Sequence, residues 1–395
     1  MDRSAVEGAA HPAVRILEQL LCIQSVNPHY SKDARGERDV AEYIEARLLK
    51  AGLKVTRQPV ADGRDNIIAE IRVGRPDAAL LFEAHMDTVS LGGMKNALVP
   101  THRDGRLYGR GACDTKGALA GMIHMMERCA RHPESLHADL IFCASVDEEY
   151  AFQGLTAFMS LDIPISGAVV GEPTELGIVV EHKGCARFAV QTNGKAAHSS
   201  APHRGDNAIY AMMDVVRHIR ERVEPGLAEV ASPLCGSPTI VVSTISGGSQ
   251  INIVPELCEV RIDRRIVPGE SPEQVLSEFE RELRAELNDI QLTVEPLLLD
   301  PALNTSHKAS IVRFAQMVAE ELGTNQTLRG VSYGSNASKL QSWKGIPSIV
   351  FGPGSIEQAH TDEEWVPVSD VELAAEFYYQ LACKYNGNQK GLREL

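Results

Sequence analysis

No two of the eight cysteines, Cys22, Cys113, Cys129, Cys143, Cys185, Cys235, Cys258 and Cys383, stand in CxxC spacing. Several lie in apolar stretches, such as Cys143 in LIFCASV. Buried free thiols are therefore the expectation, not a disulfide frame. No apolar run is long enough to span a bilayer. The opening MDRSAVEGAAHPAV lacks the basic-then-apolar layout of a signal peptide. These absences together predict a reducing, cytoplasmic setting. Basic charge is also short: 39 Lys+Arg against 53 Asp+Glu give a formal net charge of −14. A nucleic-acid or anionic-membrane partner is therefore not expected. An anionic substrate is still compatible, because bound cations can set the local potential. GRG and GPG occur, but neither completes GxGxxG or a Walker pattern, and no GxSxG elbow is present. A nucleotide site and a serine hydrolase both lack support. There is no internal repeat or low-complexity tract.

What is present is a chain of 395 residues, 44% hydrophobic and 23% charged, enough for two globular domains. Apolar spacing of three and four predicts helices over 12–24 and 38–49. Short strands are predicted over 54–58, 66–72 and 79–84, and a buried helix follows Asp114, its small residues suited to close packing on a sheet. Fully apolar strands over 140–146 and 168–170 end in acids, Asp147-Glu148-Glu149 and Glu172. Strands alternating with helices and ending in charge predict a twisted α/β sheet with a site at one edge.

The character changes near residue 181. Strands over 185–192, 239–245, 255–264 and 291–297, with helices over 206–223 and 272–287, read as an α+β insertion. The first style resumes with a helix over 310–322, a strand over 348–351 and a helix over 371–385. The expected layout is a discontinuous catalytic domain, 1–181 and 296–395, interrupted by an inserted domain, 182–295.

Five separated places put metal-ligand residue types where strands end or the chain turns: His85-x-Asp87, Asp114, Glu148-Glu149, Glu172 and His360. Each alone is weak, since HxD is common by chance and paired glutamates after a strand are usually a solvated loop. Jointly they carry more. Each acid follows a run that ought to be buried, and a buried carboxylate needs a metal, a cation or a proton. Two histidines and three carboxylates suit two borderline divalent ions sharing a bridging carboxylate. A further carboxylate would then take a proton from water. Adjacent residues of extended chain point apart, so one of Glu148 and Glu149 is expected to be a base and the other a ligand. Asp87 is placed to fix the tautomer of His85.

HMDTV, GRGACDTKG, SVDEE, VVGEPT, GKAAHSSAPHRGDNAI, QINIVPELCEVRIDRRIVPGE and FGPGSIEQAHTDEEWV occur in this order. Together they resemble the dinuclear-zinc family of acetylornithine deacetylase, succinyl-diaminopimelate desuccinylase, aminoacylase and carboxypeptidase G. The resemblance implies a zinc-peptidase-like fold, a mixed sheet flanked by helices, with the inserted domain acting as lid and dimerisation surface. It implies that Asp114 bridges two metals, that His85 and Glu172 complete one and Glu149 and His360 the other. Zn2+ is the expected ion, with Co2+ or Mn2+ compatible with the same ligands. It further implies Glu148 as general base, Asp87 as the residue orienting His85, and a non-proline cis peptide at Asp114–Thr115. His198 matches a lid histidine that reaches the partner subunit's site in a homodimer; without the resemblance it is an ordinary loop residue. Arg265 matches a position that often binds the substrate's α-carboxylate and Asn252 a nearby polar contact, the bland reading of Arg265 being a surface charge at a strand end. The segment 334–340, GSNASKL, is read as a loop where many relatives carry Thr-Asp, and Ser335 and Asn336 depart from that pattern. The implied reaction is hydrolysis of a small N-acyl amino acid bearing a free carboxylate. Its rivals are an exopeptidase on the same site and a catalytically silent binding protein.

Overall fold

The computed structural model describes residues 10–32 and 34–387. The leader-free reading of the N-terminus rests partly on residues 1–9, which lie outside the described residues, as do 388–395. The chain divides into two compact units. One contains the chain up to Val180, Thr305–Arg329 and the chain from Ser335 on; the other contains Glu181–Asn304 and Gly330–Gly334. Residue 296, where the catalytic domain was expected to restart, falls inside the strand Gln291–Asp300. That strand pairs with Gly184–Asn193 up to Asp300 opposite Cys185, so all of it belongs to the second unit.

In the first unit the sheet runs in the order Lys54–Ala61, Arg64–Ile71, Leu140–Ser145, Leu80–His85, Gly167–Val170, Ser348–Val350 and Ile178–His182. Leu80–His85 is parallel to both of its neighbours, and Ser348–Val350 is parallel to Gly167–Val170. Every residue of Leu80–His85 and of Leu140–Ser145 is buried. Parallel strands covered on both faces read as unbroken apolar runs, which is what LLF and LIFCA are. The carboxyl ends of these strands open on one edge, where doubly covered sheets place their chemistry.

The helix Lys116–Arg131 starts at that edge and packs beside Val368–Lys384. A Cβ on Gly121 would lie 3.1 Å from the Tyr378 ring, so glycine permits the two helices to approach. The small residues thus serve helix packing as well as sheet packing. The first helix, Pro12–Leu21, is shorter than the predicted 12–24. The buried Lys116 caps its end, Nζ donating to Leu20 O at 3.0 Å and to Ile23 O, just past the helix, at 2.7 Å.

Four features were not expected. Gln153–Met159 is a short helix, and Ile178–His182 is a strand. The excursion after residue 90 contributes Thr101–Arg103 and Arg106–Tyr108 to a three-stranded sheet with Trp365–Pro367. The GSNASKL segment is not a loop beyond Ser335, because Asn336–Lys344 is helical and the Ser335 hydroxyl accepts from Ala337 N at 3.3 Å.

The second unit is a four-stranded antiparallel sheet ordered Thr239–Gly247, Leu257–Ile266, Gly184–Asn193, Gln291–Asp300. Helices Ala208–His218 and Pro272–Glu286 cover it over a core that includes Phe188, Val190, Met212, Val260, Ile262 and Leu283. Among the described residues no helix is long and apolar enough to cross a membrane.

Candidate metal centre

Five chain segments deliver the site at the sheet edge of the first unit, the fifth being the loop that carries Asp114. His85 is the last residue of its strand, and Asp87 follows two residues on. Leu140–Ser145 ends before a turn in which Asp147 adopts φ 67°. Glu148 and Glu149 are therefore turn residues and not extended chain, and the turn, not strand alternation, sets their directions. Glu172 follows Gly167–Val170, and His360 lies in a loop with φ 61°.

Asp114 sits at the middle. Its Oδ1 is 3.1 Å from His85 Nε2 and its Oδ2 is 3.1 Å from His360 Nε2. His360 Nε2 is also 3.1 Å from Glu149 Oε1, and His85 Nε2 is 3.8 Å from Glu172 Oε1. Ligand atoms of His85, Glu148 and Glu172 all lie within 4.8 Å of one another, as do those of His85, Asp114 and Glu149. Five carboxylates, counting Asp87, thus converge with two imidazoles in a largely buried space. The peptide Asp114–Thr115 is cis.

The electrostatics follow from this crowding. Burial pushes the carboxyl pKa of Glu172 well up and that of Glu148 up to about 8, with the charges of Glu149 and Asp114 adding to the second. Burial likewise raises Glu149. Burial alone would lower His85, but Glu172 and the hydrogen bonds to Asp114 and Asp87 outweigh it and hold the imidazole well above its ordinary value. Hydrogen bonds that His360 donates to the Asp114 and Glu149 carboxylates raise its imidazole to about 10. Asp114 is held below the usual carboxylate range, because the two histidines more than offset its burial. A cluster that keeps protons on groups that ordinarily release them is short of positive charge. Imidazole nitrogen and carboxylate oxygen together suit a borderline divalent cation, so the residues present fit a metal pair.

Further residues hold these groups in place. The Asp87 carboxylate accepts from Asn27 Nδ2 at 2.8 Å, Glu148 N at 3.1 Å and Glu149 N at 3.2 Å. His85 Nδ1 is 2.9 Å from the backbone oxygen of Asp87 and 3.4 Å from its Oδ1. The tautomer of His85 is thus fixed chiefly by a backbone carbonyl, while the Asp87 side chain holds the 148–149 turn. Asp147 accepts from Asn27 Nδ2 at 2.9 Å, from Arg64 Nη2 at 3.1 Å and from Gln153 Nε2 at 2.8 Å. Arg64 in turn pairs with the buried Glu37 at 2.7 and 2.5 Å.

On the other side, the buried Glu364 accepts from Arg110 Nη1 at 2.8 Å, Gly111 N at 2.9 Å, Cys113 N at 2.9 Å and Asp114 N at 3.0 Å. Gly111 takes φ 83° here, and a Cβ on it would press on Thr88 at 2.9 Å. The pairing of Trp365 with Tyr108 brings Glu364 to this loop. Glu83 is wholly buried in its strand and accepts from Ser145 Oγ at 2.5 Å and Asn336 Nδ2 at 3.0 Å. Asn336 thereby docks the helix that replaced the expected loop.

Asn27, Glu37, Arg64, Asp147 and Glu364 were not singled out from the sequence. Asp147 and Glu364 do stand inside motifs that were, SVDEE and TDEEW. The remaining expected residues lie in the second unit. His198 is exposed, with Nδ1 2.8 Å from Ser200 Oγ. Asn252 is exposed, and its carbonyl accepts from Ser199 N at 3.0 Å. Arg265 Nε donates to Asp263 Oδ1 at 2.9 Å.

Residues 81–384 match the model of peptidase family M20/M25/M40. The chain is 33% identical over 342 residues to the acetylornithine deacetylase of Myxococcus xanthus, covering 84% of this chain and 87% of that one. It is 27% identical over 385 residues to a probable succinyl-diaminopimelate desuccinylase of Staphylococcus epidermidis, covering 89% and 92%. Its fold is similar to that of a tripeptidase from Staphylococcus aureus, with a TM-score of 0.76 at 21% identity over 95% of this chain and 98% of that one.

Proposed function

The chain belongs to peptidase family M20/M25/M40, and from that premise we propose that it hydrolyses the amide bond of a small N-acyl amino acid with two divalent ions, Zn2+ by preference. The observation that carries the reading is Asp114, whose two oxygens each stand 3.1 Å from a different histidine. His85 and Glu172 would hold one ion, Glu149 and His360 the other, and Asp114 both. The carboxylate of Glu148 also lies within 4.8 Å of ligand atoms of His85 and Glu172, and the resemblance assigns it to proton transfer, not ligation.

When bound, the metal pair supplies Lewis acidity to the amide carbonyl and to the attacking water. The chain's own part is the proton. Glu148 stands in the turn beside the ligand Glu149, with its backbone N–H fixed on Asp87, and its carboxylate takes the proton from water and returns it to the leaving nitrogen. Asp87 keeps that turn in place. His198, carried over from the resemblance, would contact the developing oxyanion in the partner subunit of a homodimer, and its exposure fits that role. Arg265 would bind the free carboxylate of the substrate, with Asn252 as a nearby polar contact.

A dimer through the second unit is supported by its surface. Thr239–Gly247 is an edge strand that exposes Val241 and Ile245, and Tyr210, Met213 and Ile251 are exposed in the same unit. An apolar edge strand of this kind invites pairing with a second copy. A reducing, cytoplasmic setting fits eight cysteines that form no disulfide.

Glu148→Ala tests the mechanism: the metal content stays and kcat falls by about 10²–10⁴-fold. Near-normal turnover by the metal-replete variant would remove Glu148 as the base. A panel of N-acetyl and N-succinyl amino acids beside di- and tripeptides tests the substrate class. Faster cleavage of the peptides would convert the reading to an exopeptidase, and no cleavage across the panel would leave a binding protein.

A further inference from the structure

The turn that carries Glu148 and Glu149 has aromatic neighbours to which the reaction gives no part. Asn27 and Pro28 open a tight turn, closed by Tyr30 N donating to Asn27 O at 2.9 Å, and both are residue types that such a turn favours. It is anchored where the base and one ligand are anchored. Val26 bridges Thr88, Asn27 N donates to Thr88 O at 2.9 Å, and Asn27 Nδ2 donates to both Asp87 and Asp147. Tyr30 Oη donates to the backbone oxygen of Glu149 at 2.6 Å. Tyr150 follows Glu149 directly, and its ring lies on the imidazole of His29, with centroids 3.5 Å and planes 18° apart. The Tyr30 ring meets the same imidazole edge-on at 5.6 Å.

Three rings thus form one cluster, and it is open to solvent. His29 is exposed, Tyr30 is 42% exposed and Tyr150 46%. Single exposed apolar residues call for no explanation, whereas adjoining rings beside a reactive turn mark a contact surface. Stacking and the Tyr30 hydrogen bond fix the rings before anything binds, so little rotamer freedom is left to lose. We propose that His29 and Tyr150 form a platform that receives the acyl group of the substrate, and that the group it selects is flat and aromatic, an aroyl group in place of acetyl or succinyl. The platform has this use only under the proposed function, which gives the free carboxylate to Arg265 and the proton to Glu148 but assigns no residue to the acyl group. Position favours it, since Tyr150 is two residues from Glu148 and Tyr30 holds the Glu149 carbonyl between them. Chemistry favours it too. The negative face of a phenol ring repels a second carboxylate, an acetyl group is too small to cover it, and a planar ring gains most from being laid on it.

The test compares two acyl groups on one amine, so that any loss at the metal centre common to both cancels. The amine is the amino acid whose N-acetyl form the metal-loaded protein cleaves fastest. Wild type should cleave the N-benzoyl form with the higher kcat/KM, the gain lying in KM. Tyr150→Leu and His29→Ala should each lower the benzoyl-to-acetyl ratio of kcat/KM about tenfold, and Tyr150→Phe, which keeps the ring, should retain it. Benzoate and acetate give a readout without turnover. In NMR titrations of the metal-loaded protein, Tyr150→Leu should lose about tenfold in affinity for benzoate relative to acetate. Cleavage with a ratio that Tyr150→Leu leaves unchanged overturns the platform and upholds the proposed function. A preference that follows the amino acid's own side chain and not the acyl group overturns the platform as well. No cleavage of either form removes the proposed function, and the benzoate titration then decides alone whether the two rings hold an aromatic group.

Discussion

His85 and His360 face opposite oxygens of the same carboxylate at the same distance, 3.1 Å, yet their surroundings differ. His85 ends a buried parallel strand and its side chain is 2% exposed, whereas the His360 side chain is 48% exposed on a loop. Around His85, Asp87, Asn27, Asp147, Arg64 and Glu37 form one continuous set of hydrogen bonds. Around His360 the order is supplied indirectly, by Glu364 gripping the 110–114 loop four residues further along the chain. The difference teaches that one half of the centre is built into the fold. The other half is laid over it and remains reachable by water and substrate.

Alanine at each histidine is the sharpest way to break that comparison. Both variants should lose one ion and at least about 10³-fold in kcat/KM, a little over 4 kcal/mol of transition-state stabilisation. They should part in stability. His85→Ala leaves Asp114, Glu172 and Asp87 buried without their imidazole, and removing one partner of a buried charged pair costs about 3–5 kcal/mol. His360→Ala also leaves Asp114 Oδ2 and Glu149 Oε1 without their imidazole, but on the side that solvent reaches, so it should cost less than His85→Ala. Thermal unfolding of the metal-free proteins decides it. Equal losses of stability would dissolve the distinction between a built-in and an overlaid half.

The second effect is smaller and tests how the open half is ordered. In Glu364→Gln one amide oxygen can still accept from Cys113 N and Asp114 N, but the amide nitrogen then faces Arg110 and Gly111 N. A buried guanidinium without its carboxylate should cost about 3 kcal/mol. Calorimetric titration with Zn2+ should show weaker uptake as well, because the loop carrying Asp114 loses part of its support. Loss of stability with unchanged metal affinity would make Glu364 a structural residue only, not one that positions the centre.

As candidates, His85, Asp87, Glu148, Glu149 and Glu172 were legible because they follow strands whose apolar runs are visible in one dimension, LLFEAHMD, LIFCASVDEE and GAVVGEP, whereas Asp114 and His360 follow turns. The α/β class and the α+β insertion were legible for the same reason of periodicity. The supporting shell was not. Asn27, Glu37 and Arg64 sit in ordinary polar stretches, and their importance comes from contacts with Asp87 and Asp147 that are remote in the chain. Glu364 stands among other acids in TDEEWV, and nothing local separates the one that turns inward. The resemblance predicts a loop after Ser335, and Asn336, Ser338 and Lys339 carry no apolar period to say otherwise. Burial of Asn336 on Glu83 makes it a helix start instead. Short polar elements whose burial is decided by a distant partner carry no periodic signal.

The last effect bears on the two halves together. In the metal-free centre Glu148 sits at about 8 and His360 at about 10, and both His85 and Glu172 lie well above their ordinary values. Near neutral pH the cluster therefore holds protons that divalent cations must displace. The sign follows directly: as pH falls, more protons compete, and metal binding weakens. If each ion displaces one proton, affinity should drop about tenfold for each unit from pH 8 to pH 6. Zn2+ titrations in buffers of different ionisation enthalpy would read both the slope and the protons released. The two halves should also separate. Solvent reaches His360, so the ion on that side should exchange faster, and the ion beside His85 should be the last to leave under a chelator. Simultaneous loss of both ions at every pH would show that the bridge through Asp114 couples the halves more tightly than their surroundings distinguish them.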